Sequence, residues 1–184
     1  MGFVVLAIVA AAAVFTISLY NQLVRLRNAS ESAWSDVDVQ LRRRYELIPN
    51  LVETVKGYAA HEKTAFDAVT KARAQAMQAS TPEAKGAAEG GLASSLRSLF
   101  AVAEAYPELK ANQNFLSLQD ELSKLEDAIQ NARRYYNAVV RDLNTRCEAF
   151  PSNFIANGFG FSKKQYFELE SAAERSAPRV QFGN

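Results

Sequence analysis

Residues 115–150 read FLSLQDELSKLEDAIQNARRYYNAVVRDLNTRCEAF. Within this stretch Phe115, Leu118, Leu122, Leu125, Ile129, Ala132, Tyr136, Val139, Leu143, Cys147 and Phe150 recur in steps of three and four, which places an apolar side chain on the same side of every helical turn. Two more stripes of this period precede it. One runs Trp34, Val37, Leu41, Tyr45, Ile48, Val52, Val55, Ala59, Phe66 and Val69, interrupted at Glu62; the other runs Leu92, Leu96, Leu99, Ala103 and Tyr106. No segment alternates in strand fashion over a comparable length, so the fold class is all-α.

The breaks between stripes carry their own chemistry. Thr81 can cap a helix whose first turn accommodates Pro82. Tyr106 precedes Pro107 and is pushed out of the α region, and Gly90-Gly91 weakens the start of the middle helix. Pro49 is harder to place, because the stripe continues through it although an interior proline loses a hydrogen bond and clashes with the preceding turn. Lengths favour a fold-back there. The legs would then measure about 35, 43, 35 and 55 Å and cover one another as an elongated up-down antiparallel four-helix bundle. The alternative is a kinked rod over residues 25–78, about 80 Å long, which the last leg would overshoot on its return.

Upstream lies a run of different character. Residues 3–19 are apolar except for the hydroxyls of Thr16 and Ser18, and the first charged side chain is Arg25. A helix over residues 3–24 would be about 33 Å long, against a hydrocarbon core of roughly 30 Å, so residues 1–24 read as a transmembrane anchor. The rival is a cleavable signal peptide with a small-residue site at Ala10 to Ala13, but no positive n-region precedes the run. No Cys lies nearby to carry a lipoprotein anchor. Arg25 and Arg27 follow the span and nothing basic precedes it, so the positive-inside rule directs the rest to the cytoplasm.

The chain after the anchor divides into a helical bundle over 25–149 and an aromatic tail over 150–184. It holds all 21 basic and all 20 acidic side chains. A net charge of +1 lacks the concentrated basic face that nucleic acid requires. Six of the eleven phenylalanines fall in the tail, among glycines and Lys163-Lys164. Two readings of the tail stand: its rings cover an end of the bundle, or they meet the membrane surface, where aromatic residues and lysines suit the interface. By position the membrane-interface candidates are Arg25, Arg27, Lys163, Lys164, Phe159 and Phe161.

Catalytic and metal-binding patterns find little material. The one histidine, His61, belongs to no Glu-x-x-His motif of a di-iron bundle, and with Glu62 it reads as a solvated or hydrogen-bonded helical pair. Cys147 falls on the apolar stripe and reads as a small buried hydrophobe; Arg146 beside it points about 100° away. Arg42-Arg43-Arg44 lies about 26 Å along the helix from Arg25, beyond a Debye length of roughly 8 Å, which favours ion pairs with neighbouring helices over lipid contact. Asn50, Asn137 and Asn144 sit beside the stripes and suit buried hydrogen-bond networks. Asn28-Ala29-Ser30 matches a glycosylation acceptor by chance. No phosphate-binding loop, nucleophile elbow or carboxylate pair occurs, so no cofactor and no enzymatic activity are expected.

Several phrases, in order, resemble the LemA family: Tyr20-Asn21-Gln22-Leu23-Val24, Asp38-Val39-Gln40-Leu41, Arg43-Arg44 and Leu47-Ile48-Pro49-Asn50-Leu51-Val52, then Val55-Lys56-Gly57-Tyr58-Ala59 and His61-Glu62. Tyr106-Pro107-Glu108-Leu109-Lys110-Ala111-Asn112, Arg133-Arg134-Tyr135-Tyr136-Asn137, Phe150-Pro151-Ser152-Asn153, Phe159-Gly160-Phe161 and Val180-Gln181-Phe182 continue the resemblance to the C-terminus. It implies a bacterial inner-membrane protein with one span, a short N-terminus outside and a helical bundle inside, and it implies no activity. The expected role is a membrane-anchored interaction or scaffold protein with the lipid bilayer and unidentified proteins as partners. The alternatives are a membrane-remodelling homo-oligomer and an unrecognised membrane-associated enzyme.

Overall fold

The structure, a computed structural model, describes residues 1–168. Val180-Gln181-Phe182 therefore lies outside the described residues. Among these the chain forms helices and no strand: α1 (Gly2–Lys56), α2 (Lys63–Gln78), α3 (Pro82–Glu104), α4 (Pro107–Lys110), α5 (Gln113–Glu148) and α6 (Ser152–Gly158). The all-α expectation holds. Two compact units divide the chain, one comprising Met1–Arg44 and Leu122–Tyr166, the other Tyr45–Glu121 with the C-terminal segment from Phe167.

In the first unit α1 and α5 run antiparallel. Arg44 Nη1 lies 3.0 Å from Glu126 Oε2, the rings of Trp34 and Tyr136 are 5.2 Å apart, and Leu23 meets Leu143 in a buried cluster with Ala156 and Phe161. As α1 numbers fall, α5 numbers rise, so the end of α5 returns to the part of α1 that follows its exposed apolar run. The apolar stripes are the seam: Val37, Leu41, Leu122, Leu125, Ile129 and Leu143 are all buried. Arg44 meets its expected partner on another helix, whereas Arg42 pairs within α1 with Asp38, 2.7 Å away. Upstream of Leu19 the apolar side chains of α1 are exposed, and this segment has the length and composition of a membrane span.

After α6 an extended segment runs back along α5. Asn144 holds it as a neighbouring strand would, donating from Nδ2 to the Lys164 carbonyl (3.0 Å) and accepting the Lys164 N–H at Oδ1 (2.9 Å). The Tyr136 hydroxyl donates to the Gln165 carbonyl at 2.9 Å. The buried network expected at Asn144 is present; Asn50, by contrast, is exposed.

The second unit corrects the fold-back at Pro49. Helix α1 passes through Pro49 to Lys56, and the chain turns over residues 57–62 before α2. The kinked rod fails too, since no helix joins Lys56 to Lys63. Pro49 has no N–H for the carbonyl four residues earlier, that of Tyr45. Arg73 of α2 donates from Nε to that carbonyl at 2.7 Å, so the orphaned acceptor is satisfied across the hairpin while the proline ring faces solvent. Lys56 Nζ lies 5.8 Å from the Phe66 ring, which closes the antiparallel α1–α2 pair at its turn.

Helix α3 packs on α2 and begins as expected, with the Ala84 N–H donating to Thr81 Oγ1 at 3.2 Å and Pro82 in the first turn. Its inner face starts with charge: Lys85 and Glu89 are buried, the Tyr45 hydroxyl donates to Glu89, and Lys85 Nζ lies 5.9 Å from the Tyr45 ring. Beside them a Cβ on Gly86 would stand 1.9 Å from the Glu168 carbonyl oxygen, so glycine is what lets the extended segment cross α3. Phe167, wholly buried, precedes that crossing. Asn112 caps α5 by accepting the Phe115 N–H (3.0 Å) and donates to the Tyr58 hydroxyl (2.9 Å).

Candidate functional site

The interface candidates read from the sequence collect in the first unit, where the exposed apolar part of α1 ends. Leu19 is the first buried side chain of α1 and Tyr20 the first tyrosine. Tyr20, Leu23 and Arg27 are three and four residues apart and share one helical face. Phe161 lies on that face, with its ring 5.7 Å from Tyr20 and 5.2 Å from the Arg27 guanidinium carbon. Phe159 covers Tyr20 from the other side at 5.0 Å, edge to face, an arrangement aromatic quadrupoles favour.

Helix α6 is brought here by the end of α5. The Phe150–Pro151 peptide is cis, and the Ser152 hydroxyl donates to the Arg146 carbonyl at 2.7 Å, closing the helix end. Three rings around α6 point outward: Phe150, Phe154 and Phe159 are 80, 67 and 62 % exposed. Phe150 and Phe154 stack edge to face at 5.9 Å. Isolated exposed apolar residues need no explanation, but three phenylalanines at such exposure grouped on one short helix and its flanks form an unusual concentration of exposed apolar surface.

Each interface candidate read from the sequence has a definite place. Phe161 is only 8 % exposed and packs the collar, so Phe159 is the outward ring of the pair. Arg27 lies on Phe161. Arg25 sits about 160° further round the helix and borders a separate groove with α5. The two lysines are paired with carboxylates: Lys163 Nζ is 2.7 Å from Glu148 and Lys164 Nζ is 3.2 Å from Glu31. Sequence reading missed the outward pair Phe150 and Phe154 as interface candidates, although Phe150 ends the longest stripe one turn past Cys147, where the helix has no partner left to cover it. It also missed Tyr20, the aromatic closest to the end of the apolar run.

Chemistry of other kinds is sparse. Burial raises the Cys147 thiol above its ordinary value, Glu148 adds to this, and Lys163 only partly opposes it; the thiol is thus a poor nucleophile at neutral pH. His61 is exposed in the turn before α2, not on a helix. Among the described residues no group of three or more His, Cys, Asp or Glu side chains is placed to hold a metal ion.

Comparison with known proteins agrees with the family pattern of the sequence. Magnetosome protein MamQ 2 of Paramagnetospirillum magneticum (strain ATCC 700264 / AMB-1) is 26 % identical over 181 residues, covering 84 % of this chain and 66 % of that protein. MamQ of Magnetospirillum gryphiswaldense (strain DSM 6361 / JCM 21280 / NBRC 15271 / MSR-1) is 23 % identical over the same length and the same shares. Protein LemA of Metamycoplasma hominis (strain ATCC 23114 / DSM 25592 / NBRC 14850 / NCTC 10111 / PG21) is 26 % identical over 137 residues, 74 % of this chain and 63 % of that protein. The chain thus spans slightly less than two thirds of the length of each of these relatives. The sequence pattern of the LemA family matches residues 33–182, which cover the second part of α1, the later described helices and the extended segment behind them, and the chain belongs to the LemA family.

Proposed function

We propose that this protein is a single-pass, membrane-tethered interaction module that rests one end of its α1–α5 pair on the bilayer surface and offers the remaining helical surface to protein partners. The observation that supports this most is the aromatic collar: Tyr20 directly after the apolar span is clasped by Phe159, and Phe150 and Phe154 stand exposed beside it. Tyrosine at the headgroup level and phenylalanine slightly deeper are what an interfacial belt requires. The basic side chains after the span favour a cytoplasmic bundle by the positive-inside rule, which a reporter fused after Asn184 and active only in the cytoplasm tests directly.

The interaction role is the counterpart of what the helices use their polar groups for. Arg73, Asn144, Tyr136, Glu89 and Arg44 each tie one segment to another. Native complexes isolated in mild detergent and identified by mass spectrometry are expected to contain reproducible protein partners. A tightly held metal or small molecule in their place would support the enzyme reading instead. A second reading, a homo-oligomer that remodels the membrane, draws on Phe150, Phe154 and Phe159 as a shallow apolar wedge; vesicles that tubulate with the full chain, and not with all three replaced by Ser, would favour it.

A further inference from the structure

We infer that the groove bordered by Arg25 on α1 and Arg146 on α5 binds the phosphate of an anionic phospholipid. The inference rests on the membrane seating proposed above. The groove has a volume of about 540 Å³ and is lined on the α1 side by Arg25 and Leu26 and on the α5 side by Asp142, Thr145 and Arg146. Six of the nine arginines of this unit have a partner: Arg42 and Arg44 pair with Asp38 and Glu126, Arg141 with Asp142, Arg133 and Arg134 bond to Gln130 and Asn131, and Arg27 lies on Phe161. Arg25 and Arg146 make no ion pair among the described residues. Two guanidiniums facing one apolar-floored groove repel each other, and an arrangement of this kind gains most from a shared bidentate anion such as phosphate.

Position selects the lipid over a soluble source. Residue 25 lies six residues beyond Leu19, about 9 Å along the helix, and a headgroup layer is roughly 5 to 8 Å thick on each side; an arginine that reaches back along the helix places its charge in that layer. Because α5 runs antiparallel, Arg146 stands at the same bilayer-facing end. Asp142 and Ala29 lie one turn farther away, about 6 Å. The one carboxylate of the groove is thus at the end remote from the lipid, already 3.3 Å from Arg141, while Thr145 sits at the height of Arg25 with a hydroxyl for a second headgroup oxygen. The lipid acyl chains would leave the groove past Gln22, toward the apolar run.

The test is native mass spectrometry of the full chain in detergent micelles titrated with phosphatidylglycerol or phosphatidylcholine. The parent chain is expected to retain phosphatidylglycerol preferentially, and the Arg25→Gln, Arg146→Gln double variant to bind it about thirtyfold more weakly, the combined effect of two surface arginines on an anionic interface. The double Arg→Lys variant should fall between, since it keeps charge but loses the planar fork. Equal lipid preference in parent and double Gln variant would overturn the inference, as would inorganic phosphate displacing phosphatidylglycerol at equal concentration, which would assign the groove to a soluble phosphate. Alkaline extraction of membranes carrying the same variants separates the two readings. Chain that stays with the membrane without lipid preference sinks only the groove, whereas chain released into the supernatant sinks the membrane reading beneath it.

Discussion

Removing the donor that Arg73 supplies to the Tyr45 carbonyl tests how a proline is carried in the middle of α1. In Arg73→Met the stem is kept and the guanidinium is lost, so a part-buried carbonyl is left without the partner it has at 2.7 Å. A hydrogen bond from a charged donor contributes about 1.5 to 3 kcal/mol; with Arg73 only half-buried the expected loss is near the lower limit, about 1.5 kcal/mol. Pro49→Ala acts on the same carbonyl from within the helix, since alanine there presents an N–H to it. Interior proline costs about 3 kcal/mol relative to alanine, of which about 0.4 to 1 kcal/mol is returned because alanine loosens the unfolded chain. In that background Arg73→Met should cost about 0.5 kcal/mol or less, leaving a coupling of about 1 kcal/mol between positions 49 and 73. Hydrogen exchange of the amides flanking Val52, in the full chain in micelles, reads these opening free energies. An unchanged cost of Arg73→Met with and without Pro49 would show that the two groups do not share the carbonyl.

Other substitutions have equally definite outcomes. Leu122→Ala and Ile129→Ala, both buried on the α5 seam, should each destabilise the chain by about 2 to 5 kcal/mol; unfolding midpoints equal to the parent would show that this face is not core. Gly86→Ala puts a methyl 1.9 Å from the Glu168 backbone oxygen, and a clash with backbone should cost about 1 to 3 kcal/mol and open the segment after Tyr166 to limited proteolysis; an unaltered cleavage pattern would count against the crossing. Asn144→Ala removes both hydrogen bonds to Lys164 and should cost about 1 to 3 kcal/mol, while Asn144→Asp, which still accepts from the Lys164 N–H but turns a carboxylate oxygen toward the Lys164 carbonyl, should cost at least as much. Because burial raises the Cys147 thiol, the folded chain favours the protonated form, and the stability this contributes is present below the ordinary thiol pKa and lost as pH rises through the raised one. Iodoacetamide should therefore label the folded chain only at higher pH than a free thiol; labelling at the free-thiol midpoint would contradict this.

What could be read in the sequence was whatever repeats. The stripes from Trp34, Leu92 and Phe115 gave the long helices and most of the buried faces of α5 and of α1 from Val37 onward, because a period of 3.6 is imposed by one covering partner at every turn, whereas Ala72 and Ala76, half of the buried face of α2, lay outside them. Thr81 and Tyr106 marked breaks that the chain makes, since capping and pre-proline geometry act within a few residues. Pro49 misled for the opposite reason: whether an interior proline ends a helix depends on who takes the freed carbonyl, and Arg73 lies 24 residues away on the next helix. The turn at residues 57–62 offered only Gly57 as a signal. Lys85 and Glu89 were legible in principle, as they extend the Leu92 stripe backward in steps of three and four, but charge on an inner face reads as a stripe's end. Arg25 and Phe159 could be chosen by position, whereas the pairing of Arg25 with Arg146, and of Phe159 with Tyr20, follows only from the antiparallel register of α1 and α5.

Membrane seating requires the α6 end of the first unit to rest in the bilayer interface beside Tyr20. A nitroxide at position 154, in a Phe154→Cys, Cys147→Ser chain reconstituted in lipid nanodiscs, measures this by power saturation against oxygen and a water-soluble nickel chelate. High oxygen and low nickel accessibility are expected, the signature of a side chain at the headgroup–acyl boundary. Nickel accessibility matching that of a label at exposed Ser35 would place α6 in water and contradict the seating.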